Sequence, residues 1–334
     1  KVFSLNHKFK QQTNKNTPKH FNTMHTIVIA AEKPFSKNSV AKIQELAKTH
    51  EANFQLVLCQ SYKSRDELYA AIAKADALIV RSDKVDTALL EHAPELKVIV
   101  RAGAGYDTID LAACSAKNIV VMNTPGQNAN AVAELAFGLA IMALRRGFTG
   151  KSGNELRGRK LGLQAYGAVA RAVGRIAKGF GMEVYTFDPF VKKEVVEAEG
   201  VKVVESLEEL YSTCNVISIH TPLTPETRGC VNAALLERMA ADGLLINTAR
   251  VEVVDEAALM AKMEKCPTFL YAADVAPKTA ADFTAKFGER CAFSKIKSGA
   301  QTEEANTNCG CAGINQIVAF FEKGDCTFQV NKAK

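Results

Sequence analysis

Short segments that are apolar almost throughout alternate with helical patterns along most of this chain, and that alternation limits the fold more than any other feature. Strands of this kind need cover on both faces, which a parallel sheet between helices provides. The apolar pattern predicts strands at 26–31, 54–59, 77–80, 98–100, 119–122, 161–165, 183–187, 216–220, 244–247 and 270–274. It predicts helices at 40–47, 68–75, 130–146, 168–180, 207–212, 255–263 and 303–323.

The predicted strands fall into two series, one before residue 123 and one after residue 160, with the helix at 130–146 between them. The last helix lies far along the chain from the first series, yet its natural place is against that series. We therefore predict an α/β fold of two doubly wound parallel-sheet domains, the second inserted into the first.

The net charge of +6 comes from the beginning of the chain. Residues 1–23 contain five lysines and no acidic residue, so the remaining residues carry 37 basic and 36 acidic side chains. So small a surplus offers no patch for a polyanion, and we predict no nucleic-acid partner. The longest apolar stretch, residues 132–144, has 13 residues and includes Glu134, so we also predict no membrane partner.

Residues 1–23 have no apolar run of the kind that a secretory signal needs, and we predict a disordered extension there. Because the segment has no acidic residue, import into an organelle is the alternative. The nine cysteines are scattered, and none forms a Cys-x-x-Cys pair. This spacing differs from that of zinc motifs and is typical of buried thiols in a reducing compartment. We therefore predict a cytoplasmic protein without a metal site.

The turn after residues 161–165 carries part of a dinucleotide-binding motif. Where that motif has Gly-x-Gly-x-x-Gly, this chain has Ala165-Tyr166-Gly167-Ala168-Val169-Ala170. Gly167 is the central glycine, which lets a pyrophosphate approach the backbone, whereas alanine at the first position weakens the match. Asp188 ends the next strand 21 residues after Gly167, where an acid accepts hydrogen bonds from the adenosine ribose and repels a 2′-phosphate. Together these features predict NAD as the cofactor.

Further motifs lie near the ends of the predicted strands and before the last helix. They are Val100-Arg101-Ala102-Gly103-Ala104-Gly105-Tyr106-Asp107, Asn123-Thr124-Pro125-Gly126, Val132-Ala133-Glu134-Leu135, Ser218-Ile219-His220-Thr221-Pro222-Leu223-Thr224-Pro225-Glu226-Thr227, Asn247-Thr248-Ala249-Arg250, Asp274 and Gly299-Ala300-Gln301-Thr302. In these motifs the chain resembles the D-2-hydroxyacid dehydrogenases over residues 25–330, and within them the short phosphoglycerate dehydrogenases. The resemblance implies a substrate-binding domain from residues 24–129 and 305–334, an inserted Rossmann NAD-binding domain from residues 130–304, and a homodimer.

The resemblance also implies a set of site residues. Arg250 would hold the carboxylate and carbonyl of the substrate, with the backbone N–H groups of Gly103 and Ala104 nearby. The residues implied for the cofactor are Ala104, Gly167, Ala168, Val169, Asp188, Thr221, Thr248, Ala249, Asp274, Gly299 and Ala300. Arg250 comes just after an apolar strand, which is where sites form in α/β proteins.

The chain departs from the family pattern at its acid–base pair. The family uses a histidine a few residues before the Gly-Ala-x-Thr segment, but no histidine follows His220 here, and Lys297 takes that position. Thr279 replaces the supporting glutamate of the family. A lysine base must be neutral, and a nearby carboxylate would raise its pKa from about 10.4, whereas a nearby cation would lower it. The loss of the glutamate therefore suits a lysine base, with Lys295 as the alternative if the alignment shifts.

Two further arginines, Arg81 and Arg101, end consecutive predicted strands and would meet Arg250 in the cleft. A guanidinium fork binds phosphate well, and an unphosphorylated 2-hydroxy acid would need a single arginine. The resemblance implies phosphate contacts at both positions. The alternative for Arg81 is a structural ion pair with Asp83 or Asp107.

The sequence thus predicts the NAD-dependent oxidation of a small phosphorylated 2-hydroxy acid, 3-phospho-D-glycerate, to 3-phosphohydroxypyruvate, the first step of serine biosynthesis. One alternative is another NAD-dependent 2-hydroxyacid dehydrogenase, such as a glyoxylate or hydroxypyruvate reductase. The other, which the missing histidine and glutamate favour, is a catalytically weak NAD-sensing binding protein. Because the chain ends soon after the last helix, we expect no appended regulatory domain.

Overall fold

The computed structural model describes residues 24–332, so the extension predicted at residues 1–23 lies outside the described residues. The strands are β1 (His25–Ala31), β2 (Phe54–Gln60), β3 (Ala77–Val80), β4 (Val98–Arg101), β5 (Val120–Asn123), β6 (Lys160–Gln164), β7 (Glu183–Phe187), β8 (Lys202–Val203), β9 (Val216–Ile219), β10 (Leu244–Asn247), β11 (Leu270–Ala273) and β12 (Cys291–Phe293). The helices are α1 (Lys37–Lys48), α2 (Arg65–Ile72), α3 (Thr87–Glu91), α4 (Leu111–Ala116), α5 (Ala129–Leu144), α6 (Ala168–Gly179), α7 (Lys193–Ala198), α8 (Leu207–Thr213), α9 (Ala233–Arg238), α10 (Glu256–Lys265), α11 (Ala280–Phe287) and α12 (Glu303–Lys323).

Two sheets organise these elements, one with five strands in the order β2-β1-β3-β4-β5 and one with seven in the order β12-β11-β10-β9-β6-β7-β8. Neighbouring strands run parallel throughout both sheets. The predicted α/β fold with two parallel-sheet domains is therefore confirmed. No helix in the described part of the chain is long and apolar enough to cross a membrane.

Each sheet has a point where the strand order reverses, between β1 and β3 in the first and between β6 and β9 in the second. Ligands of open α/β sheets bind outside the carboxyl ends of the strands at such points. Arg81, Arg101 and Arg250 all lie at or just after the carboxyl end of a strand. The fold therefore directs the predicted site residues of both sheets to these edges.

Helix α12 returns to the first sheet after the whole second sheet has been formed. Its Ile314 and Ile317 are fully buried among the side chains of the first sheet and of α1. Glycines allow the close approach, since a Cβ added at Gly310 would overlap Ile43 and one at Gly313 would lie 3.1 Å from the Cδ1 atom of Ile79. The first sheet is thus completed by residues from both ends of the described chain. The domain boundaries at residues 129/130 and 304/305 stay predictions.

The predicted elements lie within three residues of the observed ones, and the differences have local causes. Helix α2 begins three residues before the predicted start because the Ser64 side chain accepts a hydrogen bond from the Glu67 N–H and caps the helix. The shortest elements have no sequence pattern of their own, because five or six residues hold fewer than two turns of a helix. They are α3, α4, α7, α9, β8 and β12, and the eight-residue α11 was also not predicted.

The turn between β6 and α6 contains a residue in an unfavourable conformation. Ala165 has a φ of 77°, in the left-handed region that glycine adopts without strain. The Ala165 N–H donates to the Phe187 carbonyl at 3.0 Å, and the Tyr166 N–H donates to the Asp188 carboxylate at 2.7 Å. Two hydrogen bonds to the end of β7 therefore hold the turn in the shape that the first glycine of the dinucleotide motif normally supports.

We expect Ala165→Gly to stabilise the protein. Relief of left-handed strain of about 1–2 kcal/mol, less about 0.4–1 kcal/mol for the greater freedom of glycine in the unfolded chain, leaves a gain of about 0.5–1 kcal/mol. Thermal or urea unfolding measures the change. The control is Ala70→Gly, at an exposed position of α2 with ordinary helical geometry, which should destabilise by about 0.5–1 kcal/mol. Equal destabilisation by both substitutions would contradict the strain at Ala165.

Candidate active site

A cleft of about 380 Å³ opens between the carboxyl ends of the strands of the two sheets. It is lined by Arg101, Ala104, Gly105, Tyr106, Asp107, Asn128, Val132, Val169, His220, Thr221, Pro222, Leu223, Thr224, Thr248, Ala249, Arg250, Asp274, Lys297, Gly299 and Ala300. Most of the residues predicted for substrate and cofactor thus lie around one cavity. The other five, Arg81, Gly103, Gly167, Ala168 and Asp188, lie outside its lining.

Arg250 is held at the cleft by the turn that follows β10. The buried Asn247 side chain accepts a hydrogen bond from the Ala249 N–H at 3.0 Å and donates one to the Arg250 carbonyl at 2.9 Å. The Arg250 guanidinium then reaches across the cleft and donates from Nη2 to Oδ1 of Asp107 at 2.6 Å. Glycine at position 105 leaves room for this guanidinium, since a Cβ there would overlap it. Arg250 is therefore oriented by both halves of the cleft.

The sequence did not predict Asp107 as a partner of Arg250, although Asp107 belongs to one of the quoted motifs. Its side chain is 51% exposed, and Arg250 is the first cause that lowers the pKa of its carboxyl group. Asp107 is therefore ionised at neutral pH and compensates part of the Arg250 charge. A substrate anion can reach Arg250 beside this contact, because the guanidinium has five N–H donors and Asp107 and the Ala249 carbonyl take one each.

Arg101 lies deeper in the cleft. Its Nε donates to the Arg81 carbonyl at 2.9 Å, and its guanidinium occupies the space above Gly103, whose added Cβ would overlap it. Burial lowers the pKa of Arg101, and the nearby guanidinium groups of Arg250 and Arg81 lower it further. Arginine nevertheless stays protonated, so the cleft contains a buried positive charge that favours an anion.

The backbone N–H of Gly103 already has an acceptor in this structure. Its N–H, which was predicted to face the substrate, donates to the buried Thr124 hydroxyl at 2.6 Å. The neighbouring Ala104 N–H lines the cleft and has no acceptor among residues 24–332. In this conformation Ala104, and not Gly103, has the backbone donor that a ligand could use.

Arg81 lies behind Arg101 and does not line the cleft. Its guanidinium contacts neither of the aspartates considered as alternatives in the sequence. Nη1 donates to the carbonyls of Lys33 and Pro34 at 3.0 and 2.7 Å, and Nη2 donates to Oε1 of Gln301 at 3.1 Å. These acceptors are neutral, so the charge of Arg81 is not compensated by an ion pair there.

Lys297 lies on the loop between β12 and α12, and Asp274 holds that loop in place. The Asp274 carboxylate is buried and accepts the backbone N–H groups of Ser298 and Gly299, at 2.7 and 2.8 Å. Asp274 was predicted to contact the cofactor. In the structure it also determines where the backbone after Lys297 lies.

The surroundings of Lys297 favour its neutral form. Burial in the cleft lowers its pKa most, and the positive charges of Arg250 and Arg101 lower it further, whereas Asp107 and Asp274 oppose this effect. Measured over the whole residue, however, Lys297 is exposed, and the surrounding solvent weakens these interactions. Its amino group donates no hydrogen bond to any residue from 24 to 332, so it is available to a ligand in the cleft.

Thr279, at the position of the family glutamate, points elsewhere. Its hydroxyl donates to Oε2 of Glu256 at 2.7 Å, and Oε1 of Glu256 accepts the Lys278 N–H at 2.8 Å. Glu256 therefore holds the start of α11 by hydrogen bonds. It is not among the charged groups that shift the pKa of Lys297.

The second half of the cleft has buried polar atoms without partners. They are Oδ1 of Asn128, Nε2 of His220 and the hydroxyls of Thr221 and Thr248. An unsatisfied buried polar group costs about 1–3 kcal/mol, so these atoms fit a polar ligand that supplies their hydrogen bonds. Burial lowers the pKa of His220 to about 3, so its imidazole is neutral at physiological pH. The sequence did not predict Asn128 or His220 as site residues, because an unsatisfied atom is visible only in the fold.

The N-terminus of α6 adjoins these residues. A Cβ at Gly167 would meet no atom within 4 Å, and the N–H groups of Ala168 and Val169 have no acceptor in the described chain. This open backbone suits a pyrophosphate. The Asp188 carboxylate accepts from the N–H groups of Tyr166 and Phe190 at 2.7 and 2.8 Å. Each oxygen keeps a lone pair that a ribose hydroxyl could use. The residues therefore fit NAD.

Comparisons with known proteins agree with this geometry. The model of the NAD-binding domain of D-isomer-specific 2-hydroxyacid dehydrogenases matches residues 116–290, more than half of the chain. A D-3-phosphoglycerate dehydrogenase of Methanocaldococcus jannaschii is 34% identical over 268 residues, which cover 76% of this chain and 51% of that protein. The chain thus spans about half the length of the curated relatives it matches.

Solved structures extend the comparison over nearly the whole chain. The NAD⁺-bound 3-phosphoglycerate dehydrogenase of Entamoeba histolytica is 42% identical, with a TM-score of 0.86 over 93% of this chain and 100% of that chain. An apo D-lactate dehydrogenase of Escherichia coli is 23% identical with a TM-score of 0.74 over 91% of this chain and 99% of that chain, which shows a shared fold. The chain therefore belongs to the D-isomer-specific 2-hydroxyacid dehydrogenase family and carries the NAD-binding domain of that family.

Proposed function

We propose that the protein oxidises 3-phospho-D-glycerate to 3-phosphohydroxypyruvate with NAD⁺, the first step of serine biosynthesis. The observation that carries the proposal is the concentration of cationic groups at the cleft. Arg101, Arg250 and Lys297 line it and Arg81 lies behind, while Asp107 is the only carboxylate in the described chain that forms an ion pair with one of them. A substrate with both a carboxylate and a phosphate suits this excess of positive charge.

The relatives of this chain support the proposal. They include D-3-phosphoglycerate dehydrogenases at 34–39% identity and the Entamoeba histolytica enzyme at 42%. The relation to the last enzyme covers both chains almost completely, so it includes the arginines of the first sheet as well as the NAD-binding domain.

Each residue at the cleft has its own role in the oxidation. Neutral Lys297 accepts the proton of the C2 hydroxyl, and Arg250 stabilises the oxygen as it becomes a carbonyl. The hydride acceptor for C2 would be supplied by bound NAD⁺. The open backbone at Gly167 would hold the pyrophosphate, and Asp188 the adenosine ribose. Arg101, supported by Arg81, would bind the phosphate of the substrate.

One observation favours a second candidate function. Arg81 does not line the cleft, so Arg101 and Arg250 alone would serve a smaller unphosphorylated acid. That arrangement suits another 2-hydroxyacid dehydrogenase, such as a glyoxylate or hydroxypyruvate reductase. The formation of NADH with 3-phospho-D-glycerate and NAD⁺ at alkaline pH, compared with glyoxylate and hydroxypyruvate reduction by NADH, separates the two. Absence of turnover with every substrate would instead favour an NAD-sensing binding protein.

A homodimer and a cytoplasmic location remain part of the proposal. Met142 and Phe148 expose apolar surface at the end of α5, 38% and 67% of each residue, and this surface is available to a second copy. Analytical ultracentrifugation of the purified protein measures the oligomeric state.

We expect Asp188 to determine the preference between NAD and NADP. Its carboxylate would face the 2′-phosphate of NADP, which is a repulsive contact in a partly dry site. The unmodified protein should prefer NAD clearly over NADP, and Asp188→Ala should reduce that preference. The ratio of kcat/KM for the two cofactors measures it. Equal turnover with both cofactors by the unmodified protein would contradict the role of Asp188.

We expect Arg101→Ala to weaken binding of the phosphorylated substrate more than that of D-glycerate, which lacks the phosphate. A lost charged hydrogen bond of about 1.5–3 kcal/mol corresponds to a rise in KM of about 10- to 150-fold. Arg81→Ala should act in the same direction, since it removes the positive charge that lies behind Arg101. Unchanged KM values in both variants would contradict phosphate recognition by these arginines and favour another 2-hydroxyacid dehydrogenase.

We expect Lys297→Ala to lose about 10²–10⁴-fold in kcat with NAD binding intact, because general-base catalysis contributes about that much. Lys297→Arg should not restore the rate, since guanidinium stays protonated. For the unmodified protein the rate should rise with pH as Lys297 deprotonates, with an apparent pKa below the value of about 10.4 for free lysine. Arg101→Ala should move this profile to higher pH, because it removes one of the cations that lower the pKa.

Lys295→Ala is the matched control, since Lys295 is exposed two residues away. It should keep near-normal kcat. A normal kcat in Lys297→Ala together with a large loss in Lys295→Ala would assign the base to Lys295.

A further inference from the structure

Gln301 connects the loop of the candidate base with the arginines of the first sheet. It lies between Lys297 and α12, at the position that the Gly-Ala-x-Thr motif leaves open. Its backbone N–H donates to the Ser298 carbonyl at 2.8 Å, and its side-chain Oε1 accepts from Nη2 of Arg81 at 3.1 Å. Asp274 holds the middle of this loop by hydrogen bonds. The contact between Gln301 and Arg81 therefore connects the first sheet to a loop that Asp274 holds in place.

The acceptors around Arg81 are all neutral. Besides Gln301 they are the carbonyls of Lys33 and Pro34, and the guanidinium also stacks over the Phe35 ring at 4.8 Å from its centroid. A guanidinium has five N–H donors. Both on Nη1 and one on Nη2 are used, which leaves the Nε–H and one Nη2–H without an acceptor among residues 24–332.

The nearest carboxylate, Asp83, does not pair with the Arg81 side chain. Asp83 is buried, and its oxygens accept the Glu32 N–H at 2.8 Å, the Tyr62 hydroxyl at 2.7 Å and the Arg81 N–H at 3.1 Å. Neutral donors therefore occupy three acceptor positions of this carboxylate. The fold keeps an acid close to Arg81 but directs it to backbone N–H groups and a hydroxyl, so Asp83 acts on the guanidinium through space and forms no ion pair with it.

We propose that Gln301 is a positioning residue that determines specificity for the phosphate: its neutral amide holds the Arg81 guanidinium in place without compensating the charge. The inference rests on the proposed function and names a determinant of its substrate class. A glutamate at this position would hold Arg81 at least as firmly, but it would form an ion pair. The neutral amide is therefore the chemical feature that matters, beyond the contact itself.

Two substitutions separate this role from a simple structural tether. Gln301→Met keeps the size of the side chain and removes the acceptor, whereas Gln301→Glu keeps the acceptor and adds a negative charge. If the contact served only to tie the loop to the first sheet, Gln301→Glu would be harmless and Gln301→Met would be the damaging change. If charge preservation is the role, Gln301→Glu is the damaging change. Gln301 is exposed, so the added carboxylate needs no burial.

The experiment measures KM and kcat for 3-phospho-D-glycerate and for D-glycerate in the unmodified protein and both variants. Gln301→Glu should raise KM for the phosphorylated substrate by about 10-fold, the lower end of the effect of a lost charged hydrogen bond, with a much smaller change for D-glycerate. The unmodified protein should also show a steeper increase of this KM with salt than Gln301→Glu, since salt screens the attraction. Gln55→Glu is the control, because it adds the same charge at an exposed position of β2 that does not contact Arg81.

The outcomes separate this inference from the function on which it rests. If the unmodified protein does not distinguish the two substrates, the proposed function fails. If it prefers the phosphorylated substrate and Gln301→Glu keeps that preference and its salt dependence, the function stands and the role of Gln301 is refuted. A loss of kcat that is equal for both substrates would assign Gln301 to the support of the Lys297 loop and would also overturn the inference.

Discussion

Positive charge that is only partly compensated is the constraint on which the architecture of the cleft depends. The fold brings Arg101, Arg250 and Lys297 together, although like charges in a partly buried place repel each other. A backbone carbonyl, and not a carboxylate, holds Arg101, and of these three cations Asp107 forms an ion pair with Arg250 alone. The resulting field acts on the protein as well as on a ligand, since the same cations that attract an anion keep the amine of Lys297 closer to its neutral form.

Two glycines leave room for the arginine side chains in this arrangement. The guanidinium groups of Arg101 and Arg250 lie where Cβ atoms of residues 103 and 105 would be, so both side chains lie flat against the backbone of one motif. Gly103 has a φ of 142° and its N–H is bonded to Thr124. The motif therefore accommodates the two arginines, and the N–H of Ala104, unlike that of Gly103, has no acceptor in the described chain.

The sequence places each arginine at or just after an apolar strand, and the carboxyl ends of parallel strands meet at known edges of a sheet. In the structure Arg101 and Arg250 line the cleft, whereas Arg81 lies behind Arg101. The sequence does not predict which groups they contact. Asp107 and Arg250 are 143 residues apart, and Arg81 and Gln301 are 220 apart, so their pairing depends on how the two sheets face each other. The left-handed conformation of Ala165 also depends on the fold. Hydrogen bonds to the end of the neighbouring strand set this conformation and override the local preference of alanine.

Helix α12 has a consequence for how the chain acquires its structure during synthesis. The inner face of the first sheet, with Ile27, Ile29 and Ile79, is covered by a helix that is made only after the whole second sheet. A ribosome that adds about 5–20 residues per second needs on the order of ten seconds or more to reach it from the end of β5. During that interval the second sheet can fold alone, while the first exposes an apolar face to other nascent chains. The first sheet, although its strands are made first, can therefore be completed only after the strands of the second sheet have been synthesised.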